Sequence, residues 1–192
     1  TFLMAAMGSD QVTTPVGTDM ILGDNGLVQY DAQGNNLAFV ETYTQASAGG
    51  GTVDLGGTDT ILTTDGNKTI VGGDAADTVA MGAGNHTLLG DNGNITYVAL
   101  GLPGAGNIVT LQTTDTVAVT GGGDTVTSGN GNNVMATGMG ADNVTTATGT
   151  DTIITDNGIV QMDATGTLFQ LVESTVTLQG DNDVVFSFQG FF

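Results

Sequence analysis

Aspartate recurs at multiples of nine residues in three separate runs: Asp10 and Asp19, then Asp59 and Asp77, then Asp115, Asp124, Asp142 and Asp151. A carboxylate repeated at one turn position supplies hard oxygen ligands. Calcium, which takes about six to eight oxygens from carboxylates and carbonyls, is the ion that such a pattern suits. If nine residues make one strand and one turn, two units close a coil and positions on one edge stand eighteen apart. On that rule Asp59 is expected to face Asp77, Asp124 to face Asp142, and Asp115 and Asp151 to bracket Asn133. The opposite edge holds Lys68 and His86. It is not expected to bind a cation, and its ammonium is expected to neutralise a neighbouring Asp. The competing role for any of these aspartates is to cap backbone N–H groups in a tight turn.

Other chemistry finds few side chains to work with. His86 is the only histidine and there is no cysteine, which removes zinc clusters, soft metal sites, His-based triads and thiol nucleophiles. Glu41 and Glu173 fall at equivalent places of a repeat, so they read as repeat features rather than an acid–base pair. The chain is not expected to be an enzyme. Lys68 is the sole Lys or Arg against 20 acidic residues, a formal charge of −19. Phosphate neutralisation needs cationic side chains, so a nucleic-acid partner is excluded. The apolar opening from Thr1 to Met7 falls far short of a bilayer span of about 20 residues, and it lacks the basic flank of a signal peptide. A start at Thr points to a processed product or a piece of a longer chain.

The elements that must position the aspartates follow from the same period. Stepping by nine from Asp59-Thr60-Ile61 gives Lys68-Thr69-Ile70, Asp77-Thr78-Val79, His86-Thr87-Leu88 and Ile95-Thr96-Tyr97. A second run starts at Asp115-Thr116-Val117 and passes through Asp124, Asn133, Asp142 and Asp151. Asp10-Gln11-Val12, Asp19-Met20-Ile21 and Asp183-Val184-Val185 join the same lattice. Side chains alternate along a strand, so the apolar residue two places after each slot points inward and its Thr neighbour outward, as a Thr ladder. Glycine, 32 of 192 residues, supplies the turns. Gly72-Gly73-Asp74-Ala75-Ala76-Asp77-Thr78-Val79, Gly82-Ala83-Gly84-Asn85-His86-Thr87-Leu88 and Gly129-Asn130-Gly131-Asn132-Asn133-Val134-Met135 resemble the nonapeptide of the repeats-in-toxin (RTX) family, G-G-x-G-x-D-x-U-x. The resemblance is degenerate, since Lys68, His86 and Asn133 stand where the family has Asp. It implies an all-β, right-handed parallel β-solenoid of the β-roll type, with calcium held between turns.

A longer period lies over the short one. Asp24-Asn25-Gly26, Asp91-Asn92-Gly93 and Asp156-Asn157-Gly158 each precede a stretch that reads as a β-hairpin. This predicts one solenoid domain over 1–192 with modules 25–91 and 92–156 and a split module of 157–192 plus 1–24, one hairpin in each. Apolar residues gather at both ends, at Phe2, Leu3 and Met4 and at Phe186, Phe188, Phe191 and Phe192. Solenoids usually carry polar caps there. These seven residues are therefore an expected assembly interface, and the chain is expected to be a structural subunit of an extracellular or cell-surface filament or layer. Its partner would be itself, stacked head to tail, with calcium as a candidate stabiliser. The alternative is a calcium-binding RTX segment of a larger secreted toxin, enzyme or adhesin. A third reading, from the Thr ladder, is ice binding.

Overall fold

The computed structural model describes residues 1–43, 45–46, 53–54, 56–115, 120–175 and 181–188. Among them every regular element is a strand, so the protein is all-β. The first sheet runs β1 (Phe2–Met4), β3 (Asp19–Leu22), β9 (Lys68–Val71), β11 (Thr87–Leu89), β15 (Val134–Ala136) and β17 (Thr152–Ile154), every pair parallel. The second runs β2 (Gln11–Thr14), β8 (Thr60–Thr63), β10 (Thr78–Met81), β14 (Thr125–Ser128), β16 (Asn143–Thr148) and β20 (Val184–Phe188), again all parallel.

Between these two sheets the chain alternates, and the nine-residue lattice is the cause. Thr60 pairs with Thr78, Thr69 with Thr87, Thr125 with Asn143 and Val134 with Thr152, each eighteen residues apart. Where a hairpin intervenes the register survives it. Thr78 pairs with Thr125 and Thr87 with Val134, 47 residues apart in both cases (125 − 78 and 134 − 87), so about one coil plus an insertion of 29.

The insertions build a third sheet, which the two-sheet expectation lacks. Hairpins β4 (Gly26–Tyr30) with β5 (Leu37–Thr42), β12 (Gly93–Tyr97) with β13 (Ile108–Thr113), and β18 (Gly158–Met162) with β19 (Phe169–Ser174) pair internally as the sequence predicts. They also pair with one another through β5·β12 and β13·β18, giving six antiparallel strands. Ile95-Thr96-Tyr97, read as a fifth coil unit, belongs to β12 instead. A small sheet of β6 (Gln45–Ala46) and β7 (Val53–Asp54) follows the first hairpin.

Two apolar clusters show that the first sheet is the middle layer. Ile21, Ile70, Leu88 and Met135 pack with Ile61, Val79, Val126 and Val144 of the second sheet. Leu22, Val71, Leu89, Ala136 and Ile154, on the other face of the first sheet, pack with Val40, Ile95, Leu111 and Val160 of the third. A sheet covered on both faces needs consecutive apolar residues, as in Ile70-Val71 and Leu88-Leu89, whereas the second sheet, wet on one face, alternates as Thr78-Val79-Ala80-Met81. The Thr column is divided accordingly. Thr60, Thr78 and Thr125 line up on the second sheet, Thr96 lies in the third, and Thr69 and Thr87 face a cleft of about 430 Å³ shared with Tyr97, Ile108 and Met162. Thr116 lies outside the described residues.

Candidate functional site

The aspartates at the entrance of the second sheet form a ladder. The backbone N–H of Asp10 donates to Asp59 Oδ1 at 2.8 Å, Asp59 to Asp77 at 2.7 Å, Asp77 to Asp124 at 2.8 Å, Asp124 to Asp142 at 2.8 Å and Asp142 to Asp183 at 2.9 Å. Each carboxylate from Asp59 to Asp183 thus uses one oxygen to tie its own turn to the adjacent one, which is the capping role. The second oxygen is different. Oδ2 of Asp10, Asp59, Asp77, Asp124 and Asp142 is buried without a hydrogen-bond partner.

A second group of carboxylates stands close enough to repel the ladder. Asp24 accepts the Asp74 N–H at 2.8 Å, and Asp91 accepts those of Gly122 and Met139 at 3.2 and 2.5 Å. Both are the first residue of a D-N-G junction, so the long repeat sets this column as the nonapeptide sets the first. Asp115 belongs here rather than beside Asn133. It accepts the backbone N–H and side-chain amide of Asn92 at 3.0 and 3.3 Å, and its carbonyl takes the Asn157 amide at 2.7 Å. The eighteen-residue rule misplaces Asp115 because it follows a hairpin strand, β13, and not a coil strand.

Burial dominates the electrostatics. It raises the carboxyls of Asp59 to about 6, Asp142 to about 7, Asp77 to about 9 and Asp91 to about 10, with repulsion from Asp124 adding to the last two. Asp24 is likewise raised to about 7, and Asp124 well above the usual range. At neutral pH Asp77, Asp91 and Asp124 keep their protons, so this edge holds less charge than its number of carboxyls implies. Its free Oδ2 atoms suit either a proton or a hard cation. Calcium asks for more oxygens than one per rung, and the described residues contain no group of three or more His, Cys, Asp or Glu that could hold a metal ion. The remaining ligands would have to be carbonyls, such as those of Gly90 and Thr137 near the Oδ2 atoms of Asp77 and Asp124.

Glycine makes room for the ladder. A Cβ at Gly90 would meet both Asp124 Oδ2 and the Thr137 carbonyl well inside van der Waals contact. Gly90→Ala is therefore expected to cost about 2–3 kcal/mol. In a chain of this size that is a drop of about 5 °C or more in the melting midpoint followed by circular dichroism. A variant melting with the parent would show that the ladder shifts freely.

The matching column on the first sheet solves the same problem without a free ion. Lys68 is fully buried, and its Nζ contacts Asp19 Oδ2 at 2.7 Å and donates to the carbonyls of Gly17, Asp65 and Pro15 at 2.6, 3.3 and 3.4 Å. Burial alone raises the Asp19 carboxyl, but the Lys68 ammonium, with the Thr1 ammonium at 3.0 Å and the Thr14 hydroxyl, overrides it and holds the group below the usual carboxylate range. His86 follows, accepting the Lys68 N–H through Nδ1 and donating Nε2–H to the Gly82 carbonyl at 2.9 Å, a neutral tautomer that fits its burial-lowered pKa. Asn133 Oδ1 then accepts the His86 N–H, and Asp151 accepts from Asn133.

Of the eight nominated aspartates, five share the ladder (Asp10, Asp59, Asp77, Asp124 and Asp142), while Asp19 and Asp151 stand in the Lys68 column and Asp115 stands with the second group, beside Asp91 and Asp74. Asp24, Asp74, Asp91 and Asp183 complete the acidic edge. Of the nominated interface, Leu3 packs partly buried on the core, while Phe2 and Met4 on β1 and Phe186 and Phe188 on β20 are exposed. Phe191 and Phe192 lie outside the described residues. No helix among the described residues is long and apolar enough to cross a membrane. No family model matches the chain, and no curated protein and no solved structure matches it.

Proposed function

We propose that this chain is a structural subunit of an extracellular or cell-surface filament or layer, a degenerate RTX-type β-roll that stacks head to tail and takes calcium on its acidic edge. The right hand of the solenoid follows from the general preference of parallel crossover connections. One observation carries the reading: the apolar rows of the second and third sheets run the length of the stack and end exposed on β20 and β19. In the second sheet Val12, Ile61, Val79, Val126, Val144 and Val185 are in register. The four inner residues are buried, while Val185 is 45% exposed. In the third sheet Val28, Val40, Ile95, Leu111, Val160 and Val172 do the same, and Val172 is 47% exposed. Open strand edges with apolar ends are templates for further pairing, and a heterologous contact that does not close propagates into a fibre.

The second reading, a calcium-binding segment of a larger secreted toxin, enzyme or adhesin, is favoured by the unpartnered Oδ2 atoms of the ladder. Sedimentation and negative-stain microscopy separate the two. Concentration-dependent filaments in calcium are expected for a stacking subunit. Single short rods at every concentration, with and without calcium, would overturn stacking and leave the segment reading.

A further inference from the structure

The ends of the molecule specify more than stickiness. Each ladder bond runs from the N–H of an earlier rung to Oδ1 of a later one, so Asp183 has no later rung to receive its N–H. Asp10 has no earlier rung to serve, and its Oδ2 is buried without a partner. One end thus offers a donor and the other an acceptor carboxylate. The same polarity holds for the sheets. β2, β1 and β4 are the last strands at one end, and β20, β17 and β19 at the other. Each terminal strand carries the register of its row: Gln11, Val12 and Thr13 are the equivalents of Val184, Val185 and Phe186 through the intervening pairs.

We propose that a second copy of this chain docks with its Gln11–Thr14 strand parallel to Val184–Phe188, so that Asp183 donates its N–H to the second copy's Asp10 and Phe186 lies beside its Thr13. In the same step the second copy's Phe2–Met4 pairs with Thr152–Ile154, and its Val28 completes the row that ends at Val172. This register rests on the head-to-tail reading above. Docking turns two end rungs into interior ones. Asp183 faces Asp142 and Asp156, with Asp181 close by, and Asp10 faces Asp59, with no cationic side chain recorded against either. The junction therefore gathers carboxylates with no cation among them, as the interior ladder does, and calcium promotes it.

The absence of cysteine makes the test clean. Thr13 and Phe186 are both exposed, so Thr13→Cys/Phe186→Cys keeps its thiols outside the core. Parallel neighbours lie about 4.8 Å apart, within disulfide reach. Gln11→Cys/Phe186→Cys is two residues out of register, about 8 Å apart on the diagonal and beyond reach. After oxidation at pH 8 with calcium, a ladder of covalent oligomers on a non-reducing gel is expected for the first variant and at least tenfold less for the second. Filaments with equal cross-linking in both variants, or with none, would overturn the register while leaving stacking intact. A covalent dimer from Thr13→Cys alone would mean head-to-head pairing and overturn both. So would a chain that stays monomeric and uncross-linked in calcium.

Discussion

Acidification of the calcium-free protein from pH 8 to pH 5 is expected to raise its thermal unfolding midpoint by about 10 °C or more. The cause is the buried carboxyl edge. Asp59, Asp142, Asp24, Asp77 and Asp91 titrate in the folded state at about 6, 7, 7, 9 and 10, against about 3.9 in an unfolded chain. A raised folded pKa means that the native state holds protons the unfolded state has released. The stabilisation is complete below about pH 4 and is lost as pH rises through the folded values. One proton retained across one pH unit is worth about 1.4 kcal/mol, which moves the midpoint of a chain this size by about 2–4 °C. Several rungs act together, so the gain over three pH units is large even after their mutual repulsion is discounted. Below pH 4 the sign reverses. Asp19, paired with Lys68, and the hairpin-turn residues Asp31 and Asp163, which accept backbone N–H groups, titrate below the usual range, and what they contribute is lost as pH falls through those values.

Two controls locate the effect. Asp77→Asn keeps an Oδ1 for the Asp59 N–H and is neutral without taking up a proton on folding, as Asn133 already is beneath His86 in the neighbouring column. It is expected to melt higher than the parent at pH 8 and to show a shallower pH dependence. Calcium is expected to raise the parent's midpoint at pH 8 and to do little at pH 5, where protons hold the sites. A midpoint that is flat or rising from pH 5 to pH 8 without calcium would show that the ladder carboxylates are ionised and solvated. The predicted proton linkage would then fail.

The nine-residue period carried the coil legibly, because a strand of four and a turn of five must repeat their glycines and their inward residues to repeat their backbone. It also placed Asp59 against Asp77 and Asp124 against Asp142, since no insertion separates those rungs. It went wrong where a hairpin leaves the coil. Asp115 and the Ile95 unit keep the period by eye, yet they sit at the exit and entrance of the third sheet. The third layer itself had a readable signal. Met20-Ile21-Leu22, Ile70-Val71 and Leu88-Leu89 are apolar on successive positions, which a strand facing water on one side cannot sustain. In the sequence the D-N-G carboxylates mark only where each hairpin starts, and it is the burial of Asp24 and Asp91 beside the ladder that makes them part of the acidic edge. Burial of that kind is a property of stacked turns, and no local stretch of sequence holds it.

Lys68→Met is expected to be the most damaging single change in the coil, lowering stability by about 3–5 kcal/mol and the melting midpoint by about 10 °C. Lys68 is the only cationic side chain in the protein, and the fold buries it completely. Its Nζ is the partner of the Asp19 carboxylate, itself buried, and a donor to three carbonyls of two adjacent turns. Met fills much of the volume but offers no donor, so those carbonyls lose their partner and the buried carboxylate keeps as its cation only the half-exposed Thr1 ammonium, 3.0 Å from its Oδ1. Removing one member of a buried pair costs more than the pair is worth, because the other member stays desolvated. The double variant Lys68→Met/Asp19→Asn tests that logic. It takes away the stranded charge and is expected to recover a third or more of the loss, giving a coupling energy of about 1–3 kcal/mol in the double-mutant cycle. A pH series separates charge from packing. In Lys68→Met the Asp19 carboxyl titrates upward, so the variant's deficit is expected to shrink as pH falls from 7 to 4, where Asp19 takes up a proton. If the deficit is the same at both pH values and the double variant recovers nothing, Lys68 acts by filling space. An ammonium serving as the built-in cation of its turn would then be ruled out.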